Sequence, residues 1–274
     1  MPRLAARANA LLHPVVPVML DPEPVVVAYG AGVDSTALLV GLYKSGRKVD
    51  LILFADTGSE KPETYRYLDT MDTWLTTHGM PSITRVKNRS PIAGDTSLHG
   101  ECIRKSVLPS LAYGRHSCSL KWKVEPQWAF CRRHFGWQAR QQRWAHGPTI
   151  CKMIGYNAGP KDARRIRNAT GKWPPGHRYE YPLVDWGWDR QRCEDEIRAA
   201  GLPVPVKSAC FMCPASKEAE VAWLQDHHPD LAAVAVTMEE RAHARGLRTV
   251  QGLGRRWAWT KFLQERVAQA ARAA

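Results

Sequence analysis

Three groups of residues in this 274-residue chain combine type and spacing in ways that do chemistry. The first is Gly30-Ala31-Gly32-Val33-Asp34-Ser35, which follows the apolar run Val25-Val26-Val27-Ala28-Tyr29 and leads into a helical pattern. Small residues there leave backbone amides bare at a helix N-terminus, where hydrogen bonds and the helix dipole favour a phosphate. The loop lacks the Gly-Lys-Ser/Thr of a Walker A sequence, and Ser35 stands where a dinucleotide fingerprint has its third glycine. On the loop alone, N-capping by Asp34 and Ser35 is the competing reading. The second group, Asp56-Thr57-Gly58, closes another apolar run. The third is Cys210-Phe211-Met212-Cys213, whose spacing lets two thiolates reach one metal, with Cys118 available as a third soft ligand. Zinc, another metal centre and buried unliganded thiols all remain open from spacing.

The elements that must hold these residues follow from periodicity. Residues 25–29 and 49–55 read as buried strands and 35–44 as a helix; 62–78 is a second helix with proline in its first turn. Strands are also expected at 82–86 and 149–155, with a loop at 171–182 and two helices within 229–274, the last packing back through Trp257, Trp259 and Phe262. Continuous apolar strands joined by helices specify an α/β fold: an open, mainly parallel sheet sandwiched by helices, with a helical C-terminal extension. In that architecture Asp34 and Asp56 come to the carboxyl edge of neighbouring strands, where such sheets bind ligands. We expect an N-terminal arm over 1–23, a nucleotide-binding domain over 24–220 and the helical extension over 221–274.

Charge points in the same direction. Nearly all of the net +13 falls in residues 101–180, which hold sixteen Lys or Arg against four Asp or Glu. Either that segment is a solvated basic face or it meets phosphate, of a nucleotide or a nucleic acid. Trp122, Trp128, Trp137 and Trp144 alternate there with Arg132, Arg133, Arg140 and Arg143, a pattern for base stacking beside phosphate contacts, although Trp128 and Phe135 at helical spacing also suit a core. Seven cysteines, an odd number without a disulfide pattern, imply a cytoplasmic protein that uses thiols for metal or chemistry. Cys131 and Cys151 read as core residues. No run of about 18 apolar residues occurs, so no membrane helix is expected.

The motifs in order resemble a known family. "GAGVDS", then "DTG" and "PETYRYLD", "HSCSLKWKVEP" at 116–126, "IGYNAGPKDARRI" at 154–166, "YPLVDW" at 181–186 and "SACFMCP" at 208–214 are similar to the PP-loop ATP pyrophosphatases with the adenine nucleotide alpha hydrolase-like fold. The branch is that of phosphoadenosine phosphosulfate (PAPS) reductases, and DNA phosphorothioation enzymes are relatives that fit closely. The chain departs from the pattern at Gly30 and Ala31, where the family loop carries Ser and Gly, and it has no cysteine after Cys213, where true PAPS reductases keep a reactive one.

The resemblance implies cleavage of ATP to AMP and pyrophosphate, which adenylates an acceptor oxygen for sulfur insertion into a nucleic acid, DNA ahead of tRNA. It implies ATP and Mg²⁺, a sulfur source such as a cysteine desulfurase, and a [4Fe–4S] cluster, with zinc as the alternative, on Cys118, Cys210 and Cys213. Cys102 or Cys193 is the possible fourth ligand. It assigns Asp34, Ser35 and Lys121 to catalysis, and Tyr29, Gly30, Ala31, Gly32, Asp34, Ser35, Thr36, Asp56, Thr57, Gly58, Arg164 and Arg165 to the nucleotide, with Lys123 a further candidate cation. The competing functions are a PAPS or related sulfonucleotide reductase and a non-catalytic, zinc-stabilised nucleic-acid-binding module.

Overall fold

The computed structural model describes residues 23–88, 95–138, 140–141, 143–144, 149–171 and 174–273. The expected N-terminal arm lies, but for Glu23, outside them. Five strands form one parallel sheet: β1 (Val25–Tyr29), β2 (Leu51–Asp56) and β3 (Ile83–Lys87), with β6 (Ile150–Ile154) and β7 (His177–Glu180), in the order β3-β2-β1-β6-β7. A short antiparallel ribbon, β4 (Trp137–Gln138) and β5 (Arg143–Trp144), intervenes in sequence.

The helices are α1 (Val33–Lys44), α2 (Pro62–Thr77), α3 (Leu98–Lys105), a single turn α4 (Ser117–Ser119), α5 (Glu125–His134), α6 (Pro160–Ala169), α7 (Pro182–Asp185), α8 (Arg190–Ala199), α9 (Glu218–His227), α10 (Pro229–Ala244) and α11 (Trp259–Ala273). A wide π-type turn over Leu120–Val124 joins α4 to α5. α2 starts with Pro62, whose missing N–H costs nothing there, and buries Thr64, Tyr67, Leu68, Met71, Trp74 and Leu75, one stripe at helical spacing.

Each face of the sheet carries its own packing. Val25, Val27, Tyr29, Ile52, Phe54, Cys151 and Met153 pack with α1, α2 and α8, while Val26, Leu51, Leu53, Val86 and Ile150 pack with Cys131 of α5 and Trp144. Alternate residues of one strand thus serve opposite layers, which is why β1 and β2 are apolar throughout. A separate cluster joins α3, Leu108, Trp122, Phe211 and Met212 to α9, α10 and α11, with Trp259 fully buried in it.

The sheet, the helices on its faces and the two C-terminal helices match the expected fold class, and Cys131 and Cys151 are core residues. The expected loop at 171–182 is corrected: His177–Glu180 form the edge strand β7, in register with Ile150–Met153. An edge strand needs no apolar run, and Pro174, Pro175 and Gly176 before it read as turn. No helix among the described residues is long and apolar enough to cross a membrane.

Candidate active site

β1 sends its connection one way to β2 and β3, and β6 and β7 lie on its other side, so the strand order reverses between β1 and β6. Open α/β sheets bind ligands in the crevice outside such a switch point. The Gly30–Gly32 loop and the first turn of α1 sit there. Gly155, at the end of β6, presses against them: a Cβ on it would stand 2.7 Å from the Ser35 Cα. The Ser35 hydroxyl accepts from the N–H of Gly30 (3.2 Å) and of Gly32 (3.3 Å) and donates to the Gly32 carbonyl (3.1 Å), pinning the loop into a ring. Ala31 takes the left-handed conformation at φ 54° that glycine adopts without cost. The first amides of α1 have no carbonyl one turn back within the helix and remain donors. Tyr29 and Thr36, expected at the nucleotide, are buried and share their hydroxyls across 3.3 Å.

Asp34 opens onto the same crevice. Its Oδ1 is buried with no hydrogen-bond partner, and the nearest cation, Arg190, is 3.6 Å away. Burial raises its pKa, Asn157 and Arg190 pull it back, and Asp162 adds to the rise. Asp162 itself is spent: it accepts from Arg165 (2.7 Å) and from the Asn157 N–H (3.2 Å). Arg165 is thereby fixed over the Tyr156 ring, 5.7 Å from its centre, and Tyr156 stacks parallel on Tyr181. Arg164, one residue earlier, is exposed and makes no ion pair among the described residues.

The end of β2 is built differently. Asp56 accepts from the Gly58 N–H (2.8 Å) and the Tyr65 hydroxyl (2.8 Å) and pairs with Lys87 (3.1 Å). Burial would raise its pKa, but these partners outweigh burial and hold it below the usual carboxylate range. Gly58 has φ +64°, and a Cβ there would lie 2.8 Å from Ser97 Cβ and the Thr96 carbonyl, so only glycine fits.

Segment 208–213 lies across both strand ends. Ser208 donates to the Gly30 carbonyl, the Phe211 N–H donates to the Ser59 carbonyl (2.8 Å), and Cys210 bridges antiparallel to Glu60. The Cys210 thiol meets Thr57 Oγ1 at 3.4 Å and Glu60 Oε1 at 3.7 Å. Glu60 Oε1 also takes Thr57 Oγ1 (3.2 Å) and pairs with Lys123 (3.0 Å), while Oε2 is buried without a partner. Burial disfavours the Lys123 charge, but the Glu60 carboxylate outweighs it and holds the ammonium protonated. Burial pushes the Cys210 and Cys213 thiols up. Sequence reading passed over Glu60, Ser208, Asn157 and Arg190. The acid three residues after Thr57 was the available signal for Glu60.

Lys121 does not stand with these groups. It pairs with Glu101 at 2.5 Å; Lys105 pairs with the same carboxylate, and the Trp122 indole N–H donates to it (3.1 Å). Cys193 is buried in the α1–α8 layer, in a different cluster from Cys118 and Cys210. Among the described residues no three His, Cys, Asp or Glu side chains gather to hold a metal ion. Cys210 is turned to Thr57 and Glu60, and Cys118 packs on the same apolar cluster as Cys210. Mg²⁺ is a different case, because it takes one or two carboxylates and fills its shell with phosphate and water. The orphaned Oδ1 of Asp34 suits it.

A cavity of about 1090 Å³ opens between the ends of β3 and α5. Arg85, Lys87, Arg132 and Arg133 line it with Trp128 and Phe130, and Lys87 links it to Asp56. Arg132 and Arg133 are exposed and make no ion pair among the described residues.

The sequence matches no known family description and no curated protein. Among solved structures the chain is similar to a U34-tRNA thiolase, NcsA, from Methanococcus maripaludis with its [4Fe-4S] cluster. The two are 12% identical, with 89% of this chain and 81% of the other covered at a TM-score of 0.40. At that distance the neighbour's chemistry does not carry over.

Proposed function

We propose that this chain cleaves ATP between its α- and β-phosphates, transfers AMP to an acceptor oxygen and releases pyrophosphate, as the activating step of sulfur insertion into a nucleic acid. One observation carries the reading: a ring of backbone amides at the sheet's switch point, with the unspent Oδ1 of Asp34 beside it. Those amides bind phosphate oxygens, and the Ser35 hydroxyl, which now occupies two of them, moves to the ligand. Asp34 would hold Mg²⁺, which when bound neutralises charge developing on the phosphates. Arg165, fixed by Asp162, offers its guanidinium on the other side of the crevice.

The acceptor strand enters the basic cavity, its phosphates meeting Arg132 and Arg133 and its bases the rings of Trp128 and Phe130. DNA ranks ahead of tRNA as that strand, and the sulfur originates from a donor such as a cysteine desulfurase. Sulfonucleotide reduction ranks second. The test is product analysis with Mg²⁺ and α-labelled ATP, with and without DNA or tRNA. AMP and pyrophosphate are expected, raised by one nucleic acid and lost in Asp34→Ala. No AMP under any condition, with PAPS bound instead, overturns the reading.

A further inference from the structure

Away from the sheet edge, α3, residues 107–122 and Thr249 enclose a second cavity of about 630 Å³. Its floor is apolar, with Leu98, Leu108 and Trp122 all buried. Lys105, Arg115 and Lys121 line it against the single carboxylate Glu101, which leaves an excess of positive charge. Such a lining accepts a molecule with a carbon skeleton and an anionic group. Two cysteines, Cys102 and Cys118, complete the wall, and both are free thiols. Neither belongs to a gathered ligand set. Thiols in a cavity that selects organic anions are placed for exchange with a sulfur compound.

The cavity also connects to the edge described above. Cys118 and Cys210 pack on the same apolar cluster. Cys213 follows Cys210 in a tight turn, its N–H donating to the Cys210 carbonyl at 3.0 Å. Cys102 is buried and Cys118 only partly buried, which leaves Cys118 as the accessible acceptor.

We infer that this cavity binds a small organic persulfide bearing an anionic group, and that Cys118 takes the outer sulfur from it. The Cys118 sulfur attacks the outer sulfur of R–S–SH; the donor's S–S bond breaks as a new one forms at Cys118. R–S⁻ leaves with the electron pair and takes up the proton that Cys118 releases. No external oxidant or reductant is needed. The inference rests on the sulfur-insertion reading, and it makes the last sulfur carrier a small molecule.

The experiment uses the full chain purified without oxygen and treated with glutathione persulfide carrying labelled outer sulfur. Peptide mass spectrometry locates the label, with iron content and AMP formation from Mg²⁺ and ATP measured on the same samples. Label on Cys118 is expected, absent in Cys118→Ser. Arg115→Ala, at an exposed side chain of the lining, is expected to lower labelling about threefold while leaving AMP formation unchanged. No label on Cys118 in the wild type, or bound iron that Cys118→Ser removes, overturns the inference. AMP without label sinks the inference alone, and label without AMP sinks the adenylation reading alone.

Discussion

Glu60 at the end of β2 and Glu239 in α10 are both fully shielded carboxylates, yet they use their oxygens differently. Glu239 Oε1 accepts from the Leu253 N–H (2.5 Å) and the Trp259 N–H (2.9 Å); its Oε2 accepts from the N–H (2.8 Å) and hydroxyl (2.7 Å) of Thr260. It caps the start of α11 and ties α10 to it. Glu60 gathers Thr57, Cys210 and Lys123 on Oε1 and leaves Oε2 without a partner. Asp34 likewise keeps one oxygen without a hydrogen bond, with only the Arg190 guanidinium 3.6 Å from it. A buried polar group left unpaired costs stability; among these carboxylates the structure carries that cost at the sheet edge, whereas in the helical lobe the unpaired atom is the Trp259 indole nitrogen. Unspent capacity is what a ligand site requires, and complete satisfaction is what a latch requires.

The comparison is most exposed at the latch. Glu239→Ala strips four hydrogen bonds and strands two buried N–H groups and a part-buried one, so chemical denaturation should show a loss of about 3–4 kcal/mol, with Glu239→Gln milder. A loss below about 1 kcal/mol would mean the helical lobe does not depend on this carboxylate.

Lys152 tests the opposite case, a buried charge with nothing to hold. It is 4% exposed, and burial lowers its pKa to about 8. No ion pair or hydrogen bond to its ammonium occurs among the described residues. Between about pH 8 and pH 10 the unfolded chain holds this proton and the folded chain does not, so stability rises with pH across that window. At pH 7 both states are protonated and the full penalty applies. Lys152→Met should therefore stabilise by roughly 2–3 kcal/mol at pH 7 and flatten the slope above pH 8. An unchanged slope in the variant would assign it to another group.

Asp34→Asn should separate function from stability. Its carboxyl has a raised pKa, so the folded state binds the proton more tightly than the unfolded chain and loses stability as pH rises through the window between the two pKa values. The amide removes that cost and should add about 1 kcal/mol at pH 7 while abolishing AMP formation. A variant that is both destabilised and active would remove Asp34 from the site. Ala31→Gly is the smallest change. Relieving the left-handed alanine should raise stability by about 0.5–1 kcal/mol in thermal melts, with AMP formation retained.

Several of these features were legible before any coordinates. The switch from apolar run to Gly30-Ala31-Gly32 to helix is a local signal, and the structure keeps it within two residues: the helix was expected from 35 and begins at Val33. Pro62 marked the start of α2 for an equally local reason. β7 was missed because an edge strand half open to solvent has no apolar signature. Lys121 and Lys123 stand two residues apart in one basic turn, and nothing local distinguishes them; the fold turns one to Glu101 and the other to Glu60.

By itself, the sequence determined the glycine loop between β1 and α1, the buried parallel strands, the basic middle segment and the packing of the C-terminal tryptophans. Each is written in composition or in a period of a few residues, which local sterics and burial enforce. The tertiary structure alone decided which strands flank the switch point, that segment 208–213 crosses the ends of β1 and β2, and that the cysteines divide between a cavity wall and a carboxylate. Those contacts join residues as far apart as Cys210 and Glu60, separated by 150 positions. No periodic signal spans such a distance; only the packing of whole layers against one another brings these side chains together.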